Sequence, residues 1–531
     1  MTHPPARIRT AADDAVLVEY PDASEFEANA AAVALARWLQ GRRLPGLFDA
    51  IPGARSLFCA FDPRGLSHDA LAAEIAAAEP EAEAEAERPP SREHRIAVHY
   101  GGEDGPDLPA LAARAGLPEE ELARRHAAAI YRVAFLGFAP GFAYLMGLPA
   151  ELAAPRRPTP RTRVPSGALA VAGPYTGIYP GATPGGWNLI GRARASLFDP
   201  SRRPPTLLLP GDRVCFETGL SAEPAPAESE APGAAAGSSA GEPLFRVLDP
   251  GLWCAAAGAP RRGRGAWGAP PSGAMDFDAL ARGNALVGNS PGAAGLEIAV
   301  SGPELELLAD ATLVLSGAPC EATADGRPIA RGEPARLRAG ARLRLGPVRP
   351  GVRAYLCVAG GLADESPVET PSRLAAGALL HGAGGKVLPA EGAAPLPAFA
   401  AENDPVVRIL LGPQQDHFTS GGIATLIGST YRVSSASDRR GVRLEGPSLE
   451  PAGGADIPPE GTALGAIQVP ADGQPIVLGP DRPVTGGYPK IATVIAADFG
   501  RIAQARPGTA LRFRPVSLAE ALEARGRMLW P

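Results

Sequence analysis

The segment from residue 221 to residue 243 is the feature that most constrains how this chain can fold. It is SAEPAPAESEAPGAAAGSSAGEP and contains no large apolar side chain. A stretch of this composition cannot bury enough apolar surface to offset the entropy lost on ordering it. We therefore predict a disordered linker at 221–243 that separates two independent halves.

Composition favours strands over helices in both halves. At 531 residues the chain is too long for one hydrophobic core, and it holds 64 Gly and 59 Pro but only 5% aromatic residues. So many turn-forming residues indicate short strands joined by loops. We predict a mostly β protein with α+β content.

The first 92 residues predict a small α/β domain. A helix is expected to begin after Ser24 as N-cap, with Glu27 three residues later and Gly41 at its end. An acidic, Pro-containing stretch at 79–93 follows the domain's last helix, as a helix end or a tether. The predicted elements are a strand at 14–20, a helix at 24–41, a strand at 56–63 and a helix at 67–79.

Three later segments share one pattern, in which a Pro-Gly or Ala-Gly turn stands beside alternating apolar residues. We interpret each as a hairpin that closes a β-rich unit, so that one kind of unit occurs three times. The remaining sequence is too divergent to establish a repeat. The segments are 206–217, 331–347 and 505–517.

Charge and cysteine usage exclude several classes of protein. The net charge of −6 is mild for this size and argues against a general nucleic-acid or membrane surface. The five cysteines are scattered without a CxxC pair, which predicts small core residues in a reducing compartment. The N-terminus lacks a signal peptide's apolar run, and no stretch approaches the roughly 20 apolar residues of a membrane helix. We expect a cytoplasmic protein.

Residues 124–192 contain the densest set of candidate site residues in the first half. His126 and Tyr131 are five residues apart where a helix leads into a strand, so they need not share a face. Downstream, arginines held between prolines precede a Gly-Gly-Trp stretch, a combination that suits a carboxylate or phosphate. The alternative is a solvated arginine loop beside a core tryptophan. The candidate binding residues are Tyr131, Arg157, Arg161, Arg163, Gly185, Gly186 and Trp187.

Polar residues also interrupt apolar runs early in the second half. Glu297 lies between Leu296 and Ile298 on a predicted strand, and a buried carboxylate is costly without a partner. Such a residue marks either an ion pair or a catalytic acid or base. A helix is predicted upstream, and the candidate binding residues around it are Ser272, Met275, Asp276 and Asn284.

The stretch TGGYPKIATVI (485–495) places Lys490 on a Gly-Gly turn at the mouth of a predicted buried strand. A lysine in this position offers a point cation with backbone N–H groups nearby, which suits a carboxylate or phosphate. The alternative is an ordinary surface lysine. Other candidate binding residues in this part of the chain are Gln414, Asp416, Gln468, Gln474, Gly486, Gly487 and Tyr488.

Several well-known active-site signatures are missing from the sequence. The stretch HGAGGKVL (381–388) is not a P-loop, because Leu380 occupies the position of the first glycine and Val387 follows the lysine. The sequence has no HExxH motif and no Cys or His cluster suited to zinc. The residues alone predict a small-anion site that requires no metal.

Several of these stretches together resemble a known pair of protein families. YRVAFLGFAPGFAYLMGLP, PRRPTPRTRVPSGALAVAG, TGIYPGATPGGWNLIGR and PPTLLLPGDRVCFE resemble the allophanate hydrolase subunit 1 (KipI) family, whose bacterial members are read as the B subunit of 5-oxoprolinase. SGAMDFDALARGNALVGN, LEIAVSGPELEL, LGPQQDHF, GAIQVPADGQPIVL and TGGYPKIATVI resemble the allophanate hydrolase subunit 2 (KipA) family, read as the C subunit of 5-oxoprolinase. These resemblances cover 14–218 and about 244–515, so the chain resembles a natural fusion of the B and C subunits.

The resemblance implies a fold, an activity and partners. The implied activity is the ATP-dependent opening of 5-oxoproline to L-glutamate, with Mg²⁺ accompanying ATP and a separate 5-oxoprolinase A subunit, on another chain, as partner. Self-association into a dimer of fused chains is also implied. The chain departs from the family at Arg440 and Val442 and is shortened over 364–392, which bears on the substrate. The implied domains are an α/β domain (1–92) and three cyclophilin-like β-barrels (93–220, 244–400 and 401–531).

The resemblance also suggests roles for individual residues. The three loop arginines named above would hold phosphate or the substrate carboxylate, and His126 would act as acid or base near pH 7. Glu297 would be a further catalytic residue, and Lys490 would meet negative charge from the other half. Lys490→Ala is then expected to abolish turnover with almost no change in Tm.

Two other functions stay open at this point. The same modules form the carboxyltransferase region of urea carboxylase, so one alternative is a carboxyltransferase component that acts on urea or a related amide. Biotin would be supplied in trans, because the chain has neither a Met-Lys-Met biotinyl site nor an ATP-grasp domain. The other alternative is a non-enzymatic regulator that binds a histidine kinase.

Overall fold

A computed structural model describes residues 6–86, 92–218, 241–363, 370–385, 394–399 and 404–529. Residues 221–240 of the predicted linker lie outside these residues, as do 364–369 and 386–392, whereas a strand already begins at Pro243.

The N-terminal part is an antiparallel sheet covered by two helices, and it confirms the predicted alternation of strands and helices. Four strands pair in the order β1-β2-β4-β3. The strands β1 and β3 were not predicted. The elements are β1 (Arg7–Ala12), β2 (Ala15–Glu19), α1 (Glu25–Arg42), β3 (Leu47–Pro52), β4 (Ser56–Phe61) and α2 (His68–Ala86).

Local sequence explains where α1 begins and ends. The Ser24 hydroxyl accepts the N–H of Glu27 at 3.3 Å, and the Glu27 carboxylate accepts the N–H of Ser24 at 3.0 Å, so the predicted capping box is confirmed. The predicted end at Gly41 is wrong. The helix continues to Arg42 and stops where Arg43 adopts a left-handed φ of 50°.

The rest of the first half forms a closed seven-stranded barrel, here called the first barrel. Its ring order is β10-β7-β6-β13-β5-β12-β9, with a separate two-stranded flap of β8 and β11. The strands are β5 (Glu93–Tyr100), β6 (Ile130–Leu136), β7 (Ala143–Met146), β8 (Arg161–Val164), β9 (Ala168–Ala172), β10 (Tyr175–Ile178), β11 (Thr183–Gly185), β12 (Asn188–Ala193) and β13 (Arg213–Thr218), and the helices are α3 (Leu108–Ala115) and α4 (Glu119–Ala128).

The second half begins with a middle β domain whose strands form two sheets around one core. One sheet has the order β20-β19-β22-β17-β14-β24 and the other β15-β16-β23-β18-β21. The elements are β14 (Pro243–Asp249), β15 (Trp253–Ala257), α5 (Phe277–Leu286), β16 (Gly295–Ala299), β17 (Glu304–Leu307), β18 (Ala311–Gly317), β19 (Cys320–Ala324), β20 (Arg327–Pro328), β21 (Ala335–Leu337), β22 (Arg342–Val348), β23 (Arg353–Val358) and β24 (Leu379–His381).

A second closed barrel follows, with the ring order β25-β32-β29-β30-β27-β26-β33 and a flap of β28 and β31. With two closed barrels and the N-terminal α/β part, the predicted fold class is confirmed. The elements are β25 (Val406–Leu411), α6 (Ser420–Gly428), β26 (Tyr431–Val433), β27 (Gly441–Glu445), β28 (Glu460–Gly461), β29 (Ala466–Gln468), β30 (Ile476–Leu478), β31 (Thr485–Gly486), β32 (Lys490–Val494), α7 (Phe499–Gln504), β33 (Ala510–Pro515) and α8 (Leu518–Arg525).

The three predicted closing hairpins are wrong in detail. The segments 206–217 and 505–517 each supply one long strand, β13 or β33, which runs parallel to the first strand of its barrel and closes the ring. In 331–347, β21 and β22 belong to different sheets and do not pair with each other. Turn chemistry was recognised correctly, but the partner of each strand is set by the non-local closure of its barrel or sheet.

The N-terminal sheet packs on the second barrel rather than on its sequence neighbour alone. Ala11, Leu17 and Phe58 share an apolar cluster with Ala466 and Val484. The Thr493 hydroxyl donates to the Ala11 carbonyl at 2.7 Å, and the Ala54 N–H donates to the Pro459 carbonyl at 2.7 Å. The two halves of the chain therefore meet along a built interface.

Candidate active site at the domain junction

A cavity of about 660 Å³ lies where the N-terminal α/β domain, the middle β domain and the second barrel meet. We call it the junction cavity. Its volume is that of a small-ligand site, and such sites are common where domains meet. The charged and hydroxyl residues of its wall include Asp14 and Asp49 from the first domain, Arg262, Ser272 and Asp276 from the middle domain, and Arg408, Arg482 and Arg525 from the last part of the chain.

The loop that carries Ser272 is held against the second barrel. Ser272 has a left-handed φ of 53°, a conformation that a non-glycine residue adopts only when its surroundings enforce it. Its N–H donates to the Pro480 carbonyl at 3.1 Å, and its hydroxyl donates to the Asp481 carboxylate at 2.5 Å. These bonds across the domain boundary fix the loop at the cavity wall.

Glu297 also holds this loop in place. Its carboxylate accepts the N–H of Met275 at 2.7 Å and the hydroxyl of Tyr355 at 3.1 Å, and it pairs with Arg439 at 2.7 Å and Arg353 at 3.5 Å. Burial raises the pKa of Glu297, but the charges of Arg439 and Arg353 outweigh it and leave the pKa below its usual value. Of the two alternatives left open by the sequence, the geometry favours the ion pair.

Asp276 is the residue of the loop whose chemistry suits a reaction near neutral pH. It is buried at the N-cap of α5, where its carboxylate accepts the N–H of Ala279 at 3.2 Å and the side-chain amide of Gln504 at 2.8 Å. Burial outweighs these bonds and raises the pKa of Asp276 to about 6. A cavity-lining carboxyl with such a pKa is a candidate general base.

The other two candidates of this region differ in position. Met275 lines the junction cavity beside Asp276. Asn284 lies inside α5, where its amide donates to the carbonyls of Pro291 at 3.2 Å and Ala293 at 2.8 Å. Asn284 therefore fastens a loop and does not reach the cavity.

A second cavity, of about 800 Å³, lies on the far side of the Ser272–Asp481–Arg439–Glu297 network. It is enclosed by the first barrel, the middle β domain and the second barrel. Its lining includes Phe138, Trp253, Arg353, Arg439, Arg440 and Arg482. Of the junction cavity's residues, Arg482 also lines this second cavity.

The arginines predicted to hold an anion in the first half are already paired. The Asp107 carboxylate forms ion pairs with Arg157 at 2.7 Å and Arg161 at 2.8 Å, and it also accepts the N–H of Leu189 at 2.7 Å. Arg163 is exposed on the flap strand β8. Arg157 and Arg161 thus clamp a loop of the first barrel, and none of the three lines the junction cavity.

The Gly-Gly-Trp stretch is part of the same barrel's frame. A Cβ on Gly185 would stand 2.3 Å from the Tyr179 hydroxyl, and Gly186 accepts the N–H of Arg157 at 2.8 Å through its carbonyl. Trp187 packs edge-on against Phe142 in an aromatic cluster. The alternative of a core tryptophan therefore fits Trp187, and the glycine at 185 is required by close packing.

The prediction that His126 is an acid or base near pH 7 does not fit its position. The ring is fully buried between the Tyr100 hydroxyl at 2.8 Å and the Thr176 hydroxyl at 3.0 Å, and it stacks on Phe216. Burial lowers the pKa of His126 from 6.5 to about 3, so the ring stays neutral. The hydroxyl of buried Tyr131 donates to the His126 carbonyl at 2.8 Å, which makes both residues part of the barrel core.

Lys490 is buried against the flap of β28 and β31 rather than at an open mouth. Only 2% of the residue is exposed, and its ammonium nitrogen is 2.7 Å from the Glu460 carboxylate. Gln414 donates to Glu460 at 2.6 Å and accepts the Lys490 N–H at 3.2 Å, while Gln468 pairs with Lys490 across β29 and β32. Lys490 thus has an internal anion, and removing it would leave Glu460 buried and unpaired.

Three of the remaining candidates lie beside this pair, on or next to the flap that carries Glu460. Gly486 pairs with Glu460 across the flap of β28 and β31, and Gly487 accepts the N–H of Ile457 at 2.9 Å. Tyr488 is 36% exposed. Two others lie elsewhere: Asp416 pairs with Arg9 at 2.6 Å, and Gln474 accepts the N–H of Gly446 at 3.0 Å.

Sequence reasoning missed most charged residues of the junction cavity, among them Asp49, Arg262 and Arg482. Asp49 interrupts the apolar run LFDAIP in the way that Glu297 interrupts its own run, so the same criterion would have found it. Its carboxylate accepts the N–H groups of Gly263 and Gly265, each at 2.9 Å. Arg262 and Arg482 lie in loops, where the surrounding sequence does not mark them as site residues. Only the packing of the domains shows that they line the cavity.

Metal and membrane features were also sought within the described ranges. No group of three His, Cys, Asp or Glu side chains there is arranged to hold a metal ion. In the same residues, no helix is both long and apolar enough to cross a membrane.

Two family models match the chain. Residues 6–208 match the carboxyltransferase domain, subdomains C and D, and residues 267–515 match the carboxyltransferase domain, subdomains A and B. A protein of Escherichia coli O157:H7 named as the B subunit of 5-oxoprolinase is 46% identical over 183 residues, which are 34% of this chain and 83% of the relative. A protein of Escherichia coli K12 named as the C subunit of 5-oxoprolinase is 33% identical over 295 residues, which are 53% of this chain and 94% of the relative.

Solved structures resemble either nearly the whole chain or about half of it. The crystal structure of TTHA0988 is 35% identical, with a TM-score of 0.82 over 96% of this chain and 100% of the other. The crystal structure of the Kluyveromyces lactis urea amidolyase is 28% identical, with a TM-score of 0.50 over 54% of this chain but only 19% of that larger protein.

Proposed function

Because the chain belongs to the carboxyltransferase-domain family that includes the B and C subunits of 5-oxoprolinase, we propose that it is the B and C component of an ATP-dependent 5-oxoprolinase. It would open the lactam of 5-oxoproline to L-glutamate together with a separate A subunit.

One observation supports this proposal above the others. The two parts of the chain that match the B and C subunits pack together, and the junction cavity is walled by residues of both, such as Asp49 from the first and Asp276 from the second. A site that needs both halves gives a physical reason for two subunits to work as one component. It also gives a reason for their fusion in a single chain.

The lactam requires activation because its amide is resonance-stabilised and its nitrogen is a poor leaving group. ATP supplies this activation by phosphorylating the amide oxygen, a reaction that depends mainly on positioning and charge stabilisation. We assign Asp276 as the base that takes a proton from the attacking water. The same carboxyl can return that proton to the ring nitrogen as the C–N bond breaks, which leaves the side-chain carboxyl of glutamate as an acyl phosphate. A second water then displaces inorganic phosphate and completes glutamate.

The residues of the junction cavity fit an anionic ligand better than a protein-held metal. Arginines from two parts of the chain line it, whereas no described cluster of side chains is suited to hold a metal. Mg²⁺ usually binds through phosphate oxygens and retained waters, so it would accompany ATP rather than occupy its own protein site.

The proposed function is tested by mixing the purified chain with its genomically adjacent A subunit, 5-oxoproline and ATP. We expect glutamate and ADP to be released in a one-to-one ratio, and neither protein alone should release glutamate. Absence of glutamate release in a mixture where the two proteins demonstrably associate would refute the proposal.

Asp276→Asn tests the assigned base within that assay. We expect kcat to fall about 100-fold and the rise in activity through about pH 6 to disappear, because general-base catalysis contributes roughly 10²–10⁴-fold. Ionising this buried carboxyl costs stability, so the variant should unfold no more easily than the wild type above pH 6. Asp310→Asn is the control, because Asp310 is exposed and does not line the junction cavity.

Carboxyl transfer is a second candidate, favoured by the family models and by the urea amidolyase structure. The chain would then accept a carboxyl group from biotin carried by another protein, because none of its four methionines adjoins a lysine. Transfer of labelled carboxyl from a carboxybiotinyl partner to urea, in the absence of 5-oxoproline, would favour this function over the lactamase reaction.

The dimer of fused chains stays a prediction. Light scattering on the purified chain, alone and with the A subunit, measures its mass directly. A mass of one chain at all concentrations would contradict the dimer.

A further inference from the structure

Arg482 is a buried cation without an ion-pair partner. The residue is 8% exposed, and its guanidinium donates to the Thr462 carbonyl at 3.0 Å. Among the residues described, no carboxylate oxygen lies within 4.0 Å of its nitrogens. It lines both the junction cavity and the second cavity.

The neighbouring arginines differ from Arg482 in this respect. Arg439 pairs with Glu297 at 2.7 Å and Arg408 with Asp498 at 2.6 Å. Such pairing is expected, because a buried charge is costly unless an opposite charge and hydrogen bonds satisfy it. Of these three arginines, Arg482 is the one that has no such partner among the described residues.

Burial changes the pKa of the Arg482 guanidinium. It lowers the pKa of Arg482 to about 10, although Asp14, Asp49 and Asp481 act in the opposite direction from beyond ion-pair distance. A guanidinium at this pKa is still charged at neutral pH. It therefore offers a desolvated fork of donors, the geometry that binds a carboxylate through two parallel hydrogen bonds.

We propose that Arg482 binds the carboxylate of the ligand in the junction cavity, so that this site selects small monocarboxylates. Identifying that acid as 5-oxoproline rests on the proposed function. The ligand's carboxylate would supply the missing partner of Arg482, while Asp276 on the same cavity wall faces the reacting part of the molecule.

The surrounding charges favour a monoanion over a phosphate dianion. Asp14 and Asp49 line the same cavity, and Arg408 and Arg525 are already engaged by carboxylates of the protein. A second negative charge close to Arg482 would be repelled by Asp49, whose carboxylate already acts on the Arg482 guanidinium from the same cavity.

Calorimetric titration of the full chain, without the A subunit, tests this inference. Arg482→Gln should weaken 5-oxoproline binding at least about tenfold, and Arg482→Lys should weaken it less, because the charge is kept while the two-pronged geometry is lost. Arg440→Gln is the matched control: Arg440 is exposed and lines only the second cavity, so binding should change less than about twofold. Thermal unfolding of each variant shows that it is folded.

The outcomes separate this inference from the proposed function. Unchanged 5-oxoproline affinity in folded Arg482→Gln overturns the inference, as does binding that is lost in Arg440→Gln. Tight binding of inorganic phosphate in place of the lactam also overturns the monocarboxylate assignment. Arg482-dependent binding of 5-oxoproline, with no glutamate released when the A subunit is present, would uphold the site and overturn the proposed reaction.

Discussion

The two closed barrels share one topology but distribute their charges in opposite ways. In each, the last strand runs parallel to the first, a helix precedes the second ring strand, and a two-stranded flap stands outside the ring. The flaps also agree in register: Gly185 pairs with Arg161 in the first barrel, and Gly486 pairs with Glu460 in the second.

Backbone contacts place further residues in matching positions. In the first barrel, Asp107 donates its N–H to the Leu189 carbonyl at 3.0 Å and accepts the N–H of Leu189 at 2.7 Å through its side chain. In the second, Gln414 makes the same two bonds with Lys490, at 3.1 and 3.2 Å. Leu189 and Lys490 therefore occupy equivalent places in one frame.

The difference shows what the Gly-Gly motifs do. In the first barrel two half-exposed arginines converge on a buried aspartate, whereas in the second a buried lysine meets a buried glutamate. The stretches TPGGWN and TGGYPK thus mark a shared turn and flap. The junction cavity, which is lined by Asp276 with its raised pKa, lies elsewhere, where the domains meet.

The largest effect is expected from Lys490→Ala. Because it breaks a buried ion pair and leaves Glu460 uncompensated, it should lower the free energy of unfolding by about 3–5 kcal/mol. This reverses the expectation drawn from sequence that Tm would hardly change. Urea denaturation measures the loss, and Lys490→Met combined with Glu460→Gln should recover most of it. An unaltered midpoint for Lys490→Ala would contradict the buried pair.

His126→Leu installs the residue that the second barrel has five positions before its own buried tyrosine: Leu426 precedes Tyr431 as His126 precedes Tyr131, and it is also fully buried. At pH 7 it should cost about 1–3 kcal/mol, because the hydroxyls of Tyr100 and Thr176 lose a partner.

The pH dependence of that variant is the sharper test. The folded pKa of His126 is lowered to about 3, so its contribution to stability is complete above pH 6.5 and is lost as the pH falls. Between pH 6.5 and 4 the wild type should lose about 3 kcal/mol from this residue, and His126→Leu should not. Parallel stability profiles for the two proteins would show that His126 is not a neutral core residue.

The flap glycines should respond unequally to alanine. A Cβ on Gly185 would stand 2.3 Å from the hydroxyl of buried Tyr179, so Gly185→Ala should cost about 1–3 kcal/mol. On Gly486 the nearest atom is the mobile amide end of Gln468 at 2.9 Å, and the cost should stay below about 1 kcal/mol. Equal Tm shifts for the two variants would contradict the difference in packing.

Arg161→Ala should have the smallest effect. Its side chain is 24% exposed and Arg157 remains on Asp107, so a loss of about 1 kcal/mol or less is expected. The pKa of Asp107, which burial raises but these arginines lower overall, should move upward and is measurable by NMR. If Arg161→Ala lowered the free energy of unfolding as much as Lys490→Ala, the contacts of Asp107 with its arginines would have to be as buried as the Lys490–Glu460 pair.

Much of the architecture could be predicted because it depends on local chemistry. The capping box of Ser24 and Glu27 and the turns before β13 and β33 are encoded within a few residues. The pairing of β13 with β5 could not be predicted in the same way, because it joins strands far apart in the chain. Buried strands such as β3 also escape a search for alternating patterns.

The candidate site could be predicted only in part. Ser272, Met275 and Asp276 were found because they stand together just before a predicted helix, and they do line one cavity. His126 and Lys490 were predicted as site residues for the same reason, their polarity. Both proved to be buried, and their burial depends on residues distant in sequence. Arg482 shows the converse: nothing nearby in the sequence distinguishes it from an ordinary loop arginine.

The most direct test of the account is a crystal structure of the full chain with bound 5-oxoproline. The account predicts the lactam in the junction cavity, with its carboxylate within hydrogen-bonding distance of Arg482 and its ring against Asp276. A lactam bound at the Gly486–Lys490 flap or at the Arg157–Arg161 loop, with the junction cavity empty, would contradict it.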